Sequence, residues 1–439
     1  MSQEYRELTP EEISELLEFI KEKKSQKNKI QTSEEIKKTM QEIANILGID
    51  INRIKYKIFV SKNQEIPEVC FSIESEDDNK KLELNVQERH LLFSLQYFLA
   101  FENCKFKTPF CNRISFQYFK PLNFKNCEFE QEVNFKNCNF KQRVSFSNCK
   151  FSENIYFNNS HFCEYADFHE CDFEKVACFY GVDFKKAPNF SQAVFKGNLN
   201  LINAKLNFDF EDLREKIQEE YENNQDLIKK QKEKSRDRNM LAKEIADRIK
   251  EKSLENIAND FRDSFRFFKN ALIKDNNLLD ASNFHRIELY CKEIELKNKQ
   301  PQKFSKDWID KWVLKFYRIL CDHHTNLISN LKWLVWLVAL YPIFLGKLPL
   351  FICFPYLIFI LLIYFFKDKC GIFISQIFSI GIILYIICEK PKIIFGIAGL
   401  FASDLNWWQN LITAVYTILM VLVLFSLQKT ARKNSIVPS

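Results

Sequence analysis

The sequence predicts a chain of mixed fold in which a repetitive solenoid is joined to a bundle of about four transmembrane helices. Phenylalanine is overrepresented, with 44 copies among 439 residues against 8 glycines, more than one ordinary globular core requires. Aromatic residues recur at a fixed spacing in the middle of the chain, and long apolar stretches begin near residue 325. These patterns divide the chain into a small α+β N-terminal cap (1–100), a repeat solenoid (101–210), a charged helical linker with a helical hairpin (211–324), a transmembrane bundle (325–428) and a basic cytoplasmic tail (429–439).

The first hundred residues predict the α+β cap. Thr9-Pro10-Glu11-Glu12 has the form of a capping box with proline at the first helical position. A second helical pattern runs from Ile36 to Leu47 and ends at Gly48, and segments 55–60, 68–72 and 81–86 then alternate like strands. Because solenoids need closed ends, we interpret this domain as a plug in preference to a partner-binding cap. The N-terminus has no signal-peptide pattern, so the cysteines are expected to be reduced.

An eleven-residue repeat extends from Leu122 to Leu206. Each unit carries two aromatic positions five residues apart, with a small or branched residue two positions before each. This spacing fits a chain that turns a corner about every five residues and points two side chains inward on each side. The predicted inward residues are Phe124, Phe129, Phe135, Phe140, Phe146, Phe151, Phe157, Phe162, Phe168, Phe173, Phe179, Phe184, Phe190, Phe195, Cys127, Cys138, Cys149 and Cys171.

The pattern resembles the pentapeptide-repeat family, in a Phe-centred variant with one extra residue in every second unit. The resemblance covers roughly a quarter of the chain. It implies a right-handed quadrilateral β-helix in which four sides form a coil of about 22 residues, and coils stack at roughly 4.8 Å. One internal ladder would contain Phe124, Phe146, Phe168 and Phe190, and another Cys127, Cys149 and Cys171. Corners are expected at Asn126, Asn137, Asn148 and Asn159, because asparagine tolerates a left-handed backbone.

The segment after the repeat predicts helices. Residues 211–260 are densely charged, with apolar residues near helical spacing, which indicates a long helix or a helical pair. Phe261 to Leu272 and Ala281 to Leu296, separated by a break at Asp275-Asn276-Asn277, predict a helical hairpin. We interpret the mixed charge as a solvated face and not as a binding patch.

Four apolar stretches, 327–343, 350–366, 371–388 and 411–427, have about the 17 to 20 residues that a bilayer crossing requires. The positive-inside rule places the N-terminal domain, the middle loop and the C-terminal tail in the cytoplasm. Lys390 and Lys392 would then lie outside, which counts against this topology. Residues 393–401 are expected to form a re-entrant or interfacial segment. The predicted localisation is the bacterial inner (cytoplasmic) membrane, with a multi-pass topology. Basic residues around the spans are Lys311, Lys315, Arg318, Lys367, Lys369, Lys429, Arg432 and Lys433.

No catalytic, cofactor-binding or metal-binding set can be named from the sequence. Stacked cysteines could bind a soft metal, but Ser160, Val182 and Ala193 occupy equivalent positions, so packing explains them. His161 and His169 are isolated on the repeat, and the His323-His324 pair precedes the first span, where an interfacial role is the simpler interpretation. The motifs of phosphate loops, nucleophile elbows and zinc proteases are missing from the sequence. We therefore predict no enzyme activity, no cofactor and no metal.

Polar residues within the spans are few and uncharged toward the middle. Lys332 lies near the cytoplasmic end of the first span, where a long side chain can reach the headgroups. We interpret the others as helix-packing residues. Some membrane pentapeptide-repeat proteins resemble channels with a pore loop where residues 393–410 lie here, but no potassium-channel filter motif occurs in this sequence. The uncharged polar residues within spans are Ser375, Gln376, Ser379, Thr413 and Thr417.

The predicted function is a membrane-anchored, non-catalytic scaffold or protein-interaction module that presents a cytoplasmic repeat rod. A DNA-mimicking branch of the family needs an acidic surface, whereas residues 101–210 contain 14 Lys and Arg against 12 Asp and Glu. No nucleic-acid partner is therefore predicted. The expected partners are the lipid bilayer and a protein of unknown identity, and a homo-oligomer is compatible with the sequence. The alternative is an ion channel or transporter with a regulatory repeat domain.

Overall fold

The computed structural model describes residues 5–7, 33–61, 68–75, 80–86, 97–111, 117–236, 252–346, 356, 358, 369–389 and 406–432. The chain divides into two compact units, Met1–Lys299 and Gln300–Ser439. The helix predicted from the capping box at residues 9–12 lies outside the described residues.

The N-terminal part of the first unit combines a helix with strands that join the solenoid. Helix α1 (Ser33–Leu47) ends at Gly48, whose φ of +66° is the left-handed conformation that the sequence predicts for this helix end. Strands β1 (Tyr5–Glu7), β2 (Ile54–Ser61) and β3 (Glu68–Glu74) form an antiparallel ladder. In contrast, β3 pairs in parallel with β5 (Phe98–Glu102), and β4 (Leu82–Leu84) with β6 (Cys104–Phe106). Strands of the cap therefore continue two sheets of the solenoid.

The solenoid makes about five turns and has four sides, which we call faces A to D. Strands on each face pair in parallel, and Phe129 lies opposite Phe151, which confirms a coil of 22 residues. Face A contains β5, β9 (Leu122–Lys125), β13 (Val144–Ser145) and β17 (Ala166–Asp167); face B contains β6, β10 (Glu128–Phe129), β14 (Lys150–Phe151), β18 (Asp172–Phe173) and β21 (Val194–Phe195); face C contains β7 (Phe110–Cys111), β11 (Val133–Asn134), β15 (Ile155–Tyr156), β19 (Ala177–Cys178) and β22 (Leu199–Asn200); face D contains β8 (Gln117–Tyr118), β12 (Asn139–Phe140), β16 (His161–Phe162), β20 (Asp183–Phe184) and β23 (Lys205–Leu206).

Phenylalanine rings fill the solenoid in stacked columns. The rings of Phe124 and Phe146 are 5.0 Å apart and nearly parallel, at 8°. Within one coil, neighbouring rings meet edge to face, as Phe124 and Phe129 do at 5.4 Å and 69°. Both arrangements suit the charge distribution of aromatic rings. The repeat therefore places one ring above another along the axis and crosses them within each coil.

The corners use left-handed backbone positions at every eleventh residue. The four predicted asparagines, Asn126, Asn137, Asn148 and Asn159, have φ between 52° and 56°, which confirms the prediction. In the later coils the series includes Glu170 and Gln192, which lack this preference. A side chain on Gly181 would clash with the amide of Asn159. The later members of the series are Glu170, Gly181, Gln192 and Asn203.

Three helices follow the solenoid among the described residues of the first unit. Helix α2 (Phe210–Arg236) begins directly after the last coil, and α3 (Leu254–Lys274) and α4 (Leu278–Lys299) form the predicted hairpin. The turn between them contains Asn276 with φ of 58°, at the predicted break. The ring of Phe268 in α3 lies 4.8 Å from Phe190, at the last coil. The hairpin therefore closes the C-terminal end of the solenoid.

The second unit contains four described helices: α5 (Lys306–Cys321), α6 (Leu327–Phe344), α7 (Lys369–Glu389) and α8 (Trp407–Ala431). Among the described residues, three of them are long and apolar enough to cross a membrane: α6, Gly371–Cys388 within α7, and α8. These correspond to the first, third and fourth predicted spans. The predicted second span, 350–366, lies outside the described residues except for positions 356 and 358, and the predicted re-entrant segment 393–401 also lies outside them.

Candidate interaction surface

The predicted inward residues line the interior of the solenoid. Thirteen of the fourteen phenylalanines are at most 3% exposed, and Phe195, at the last coil, is partly buried. The stacked rings of Phe195 and Phe267 in α3 are 5.3 Å apart, so the hairpin supplies the missing neighbour. Cys127, Cys138, Cys149 and Cys171 are fully buried, and none of these four thiols is part of a disulfide.

Cys127, Cys149 and Cys171 hydrogen-bond to the backbone of the preceding coil. The Cys171 thiol donates to the Phe146 carbonyl at 2.9 Å, and the Cys149 thiol to that of Phe124 at 3.5 Å. Ser160 makes the equivalent bond to Phe135 at 2.5 Å, so a hydroxyl serves in the same place. Burial raises the pKa of the Cys171 thiol well above its usual value. Among the described residues, no group of three or more His, Cys, Asp and Glu side chains could hold a metal ion.

The histidines singled out in the sequence do not form a common site. His161 lies on face D, 3.5 Å from Asp183, whereas Nδ1 of His169 lies 2.7 Å from the Ser191 hydroxyl. In the second unit, Nδ1 of His324 lies 3.5 Å from the Cys321 sulfur. His323 is buried. Each of these contacts stabilises only the local structure around its histidine.

Helix α2 covers face A. The Tyr165 hydroxyl donates to Glu220 at 2.9 Å, and the Lys216 ammonium lies 3.3 Å from the centre of the Tyr165 ring. Lys216 also pairs with Glu220 at 2.9 Å, although it is only 8% exposed. Buried charges require such partners. The expectation of a solvated charged face is therefore wrong for Lys216.

A second set of polar groups lies under the same helix. Ser145 donates to Asp167 at 3.2 Å, and the Arg143 guanidinium lies 4.9 Å from the Tyr165 ring. Burial, followed by the nearby Glu220 carboxylate, raises the pKa of Asp167. Face A is therefore occupied by a helix of the same chain.

Face B is a ladder of paired charges. Lys196 bonds Asp172 at 3.0 Å and Glu174 at 2.9 Å, and Lys105 bonds Glu130 at 2.5 Å. These exposed pairs join successive coils and contribute little each. A partner docking here would have to displace ion pairs that already satisfy one another.

Face D centres on a buried carboxylate. Asp183 pairs with Lys185 at 2.8 Å and accepts from Asn207 at 2.6 Å. Burial raises the pKa of Asp183, but the hydrogen bonds from Lys185 and Asn207 outweigh burial, and the net direction is downward. The carboxylate at the centre of this face is therefore already paired within the solenoid.

Face C differs from the other three because its outer side chains are mainly aromatic and amide groups. Its central row consists of Asn134, Tyr156, Cys178 and Asn200, and the row at the corner toward face D consists of Lys136, Asn158, Tyr180 and Ile202. Of these eight residues, only Lys136 is charged, and its ammonium lies 4.1 Å from the Tyr156 ring. Tyr180 is 37% exposed.

A groove of about 580 Å³ lies between helix α4 and the last coil, at the corner where faces C and D meet. Asn203 organises one wall: its amide side chain donates to the Tyr180 hydroxyl at 3.0 Å, and its backbone amide donates to Asp280 at 2.9 Å. The residues that line the groove include Asn159, Tyr180, Asn203, Lys205, Asp280 and Arg286. We call the eight outer residues of face C together with this groove the tyrosine surface.

Polar side chains of the apolar helices contact one another in pairs. Tyr341 and Thr413 hydroxyls are 3.0 Å apart, Trp336 donates to Ser375 at 3.3 Å, and the hydroxyls of Tyr356 and Ser379 are hydrogen-bonded. Ser375, Ser379 and Thr413 therefore pack helices together, as the sequence predicts. Thr417 bonds to the backbone of its own helix, and Lys332 is exposed in the second turn of α6. Predicted pore-loop residues 393–405 lie outside the described residues.

The fold and these surfaces define a class: a four-sided parallel β-solenoid that is closed by a helical hairpin at its C-terminal end, on a chain with candidate membrane-spanning helices. Residues 124–172 match the family described as pentapeptide repeats, with nine copies, and the chain therefore carries a pentapeptide-repeat domain. Comparison with curated proteins and with solved structures found no match to either.

The outward positions of the repeat carry a sequence signal for the tyrosine surface, whereas the inward positions do not. Tyr156 and Tyr180 lie in outward rows of one face because their positions relative to the repeat are those of Asn134 and Asn158. Sorting outward positions by face would have separated this uncharged row from the charged rows. The covering of face A had a weaker signal, namely Leu213 and Ile217 at helical spacing, both fully buried.

Proposed function

We propose that this protein is a membrane-anchored, non-catalytic interaction module in which the tyrosine surface holds a protein partner at the cytoplasmic face of the bacterial inner membrane. The observation that carries the proposal is the contrast among faces: face A is covered, face B is a ladder of ion pairs, face D centres on a paired carboxylate, and face C presents tyrosines and amides. Tyrosine and arginine are enriched at protein interfaces, whereas lysine and glutamate are depleted.

The chemistry of the surface indicates the kind of partner. Tyr156 and Tyr180 offer large rigid contact areas with a polar tip, which suits a protein segment with both apolar and hydrogen-bonding groups. In the groove, Lys205 and Arg286 add two positive charges and Asp280 adds one negative charge. A folded protein or extended segment with a mixed polar and aromatic surface fits these groups better than a highly charged polymer does.

Affinity purification after crosslinking in intact cells tests the proposal. The full protein is compared with Tyr156→Ala/Tyr180→Ala and with a control, Tyr56→Ala/Phe119→Ala, which removes two other exposed aromatic residues. If the tyrosines are interface hot spots, their loss costs about 2 kcal/mol or more and reduces capture of the partner roughly thirtyfold. The control retains capture. Equal capture by both variants and the full protein would contradict the proposal.

A truncated form ending at Gln300 separates the solenoid from the apolar helices. We expect it to capture the same partner, since it contains the whole tyrosine surface. Capture by the full chain alone would direct attention to the second unit, where conductance and transport measurements come next.

A further inference from the structure

Helix α5 (Lys306–Cys321) has apolar side chains that the protein leaves uncovered. Trp312 is 49% and Ile309 50% exposed, and Val313 and Ile319 are exposed to a similar degree. Just before the helix, Phe304 is 81% exposed, and its ring lies 5.2 Å from Trp308. Exposed apolar groups of this size in one helix indicate an interaction surface.

Basic residues lie beside this apolar surface. Lys311, Lys315 and Arg318 lie one or two turns apart on one side of the helix, next to the side that carries Trp308, Trp312 and Ile319. The Lys315 ammonium lies 5.1 Å from the Trp312 ring. Tryptophans next to lysines and arginines are typical of helices that lie in the headgroup region of a bilayer.

The contacts of α5 within the second unit fit a helix at the depth of the lipid headgroups. Leu320 and Cys321, at its C-terminal end, are buried together with Val423 of α8, and Trp333 of α6 donates to the Ile319 carbonyl at 3.0 Å. These contacts involve the first two turns of α6 and the last third of α8. Lys332, Lys429 and Arg432 occur in or directly after those turns, where they can reach the headgroups.

We propose that α5 is an interfacial helix that docks its Trp308, Trp312 and Ile319 side onto the bilayer surface and favours anionic lipids through Lys311, Lys315 and Arg318. The inference rests on α6, α7 and α8 crossing a bilayer and is independent of the tyrosine surface. The lipid surface is favoured over a second copy of the chain because the basic row complements anionic headgroups and because α5 is continuous with a candidate span.

Tryptophan fluorescence of the full-length protein reconstituted into vesicles tests this inference. Vesicles of phosphatidylcholine alone are compared with vesicles that also contain phosphatidylglycerol, each with and without brominated acyl chains that quench nearby tryptophan. Subtracting the emission of Trp308→Phe/Trp312→Phe from that of the natural sequence isolates Trp308 and Trp312. We expect brominated lipid to quench this difference emission, and to quench it more strongly in the anionic vesicles.

Matched charge variants test the basic row. Lys311→Gln/Lys315→Gln should strongly weaken the dependence on phosphatidylglycerol and leave only the contribution of Arg318, because each basic residue near an anionic surface favours docking about fivefold. Lys37→Gln/Lys38→Gln, which changes two exposed lysines of α1, should retain it. Both pairs lie on exposed or half-exposed helix surfaces, so folding is expected to be unaffected.

The outcomes distinguish the proposed interfacial helix from the assignment of α6, α7 and α8 as membrane spans. The four tryptophans left in Trp308→Phe/Trp312→Phe lie in α6 and at the start of α8 and report insertion of those helices. If they are quenched while the difference emission is not, the interfacial helix is overturned and the spans remain. Equal quenching in the two vesicle types would overturn the anionic preference. Quenching that changes with the protein-to-lipid ratio would indicate that a second copy of the chain docks on α5. That result would also overturn the proposal that α5 docks on lipid.

Discussion

Faces A and C enclose the same phenylalanine columns, but one is covered by its own chain and the other is open. On face A, Tyr165 is covered by α2 and bonded to Glu220. On face C, Tyr180 also points outward but is exposed beside a groove. The comparison teaches that the repeat determines the inside of each coil and leaves the outside free to vary. A solenoid can therefore carry a structural face and a binding face at the same time.

The largest expected effect is the difference in stability between a substitution inside a coil and one on its outside. Phe157 is fully buried, and the preceding Tyr156 points outward on face C. Phe157→Asp should place an unpaired charge in the core and destabilise the solenoid by about 4 kcal/mol or more. Tyr156→Asp should leave the unfolding temperature nearly unchanged. Thermal unfolding followed by circular dichroism checks this, and equal stability of the two variants would contradict an inward ladder.

A smaller effect is expected in the hairpin at the end of the solenoid, where ion pairs join α3 to α4. Burial raises the pKa of Glu288, but hydrogen bonds from His285, Arg266 and Lys269 outweigh it and lower the pKa to about 2. Because the folded pKa lies below the unfolded value, this carboxylate stabilises the fold above about pH 4.5, and the stabilisation is lost as pH falls toward 2. The stabilisation amounts to about 3 kcal/mol at most.

The measurement is the unfolding temperature between pH 7 and pH 3. Glu288→Gln should be less stable than the natural protein at pH 7, and the difference should shrink on acidification. Glu215→Gln, which changes an exposed residue of α2, serves as control and should parallel the natural protein. A difference for Glu288→Gln that is constant with pH would show that its ionisation is not coupled to folding.

The contact of α2 with face A should contribute less to the stability of the fold than Phe157 or Glu288 does. Lys216→Ala removes the ammonium from the Tyr165 ring and leaves the Glu220 carboxylate without its pair, which we expect to cost about 2 kcal/mol. Lys229→Ala, on the same helix, removes an exposed pair with Asp226 and should change the stability by less than about 0.5 kcal/mol. Denaturant unfolding compares the two, and equal losses would mean that α2 does not hold face A through Lys216.

The smallest effect is expected at a corner residue. Faces A and C both require a left-handed backbone at their corners. Asn148 has φ of 54°. Asn148→Gly should be close to neutral, whereas Asn148→Val should cost about 1 to 2 kcal/mol, because a branched side chain clashes in the left-handed region. The ranking of the two unfolding temperatures checks this, and a valine variant as stable as the glycine variant would contradict the assigned backbone.

The sequence predicts the interior of this molecule far better than its surface. Phe124 and its successors recur because every coil makes the same demand, so the period, the inward residues and the corner asparagines follow from spacing alone. The stacking begins earlier than the spacing indicates, since β3 and β4 of the cap already pair with β5 and β6. Segments 68–72 and 81–86 read as strands, but their partners lie across the repeat boundary, where no period exists to reveal them.

The candidate sites follow from the sequence only in part. Tyr156 and Tyr180 have no motif, and their significance depends on which face they share and on what covers the other faces. Lys216 reads as an ordinary charge on a solvated helix, and only the packing of α2 against Tyr165 shows its role. In α5, the basic residues were identified as topology signals, whereas exposure of Trp312 became evident only when the helix was seen against α6 and α8.

Photocrosslinking from single positions tests the central claim, that face C is the binding face, most directly. A photoreactive phenylalanine analogue is introduced in intact cells at Tyr180, on the tyrosine surface, and separately at Val194, an exposed position on face B. We predict a specific protein adduct from position 180 and none from position 194. An adduct from position 194 alone, or no adduct from position 180, would contradict the assignment of face C as the binding face.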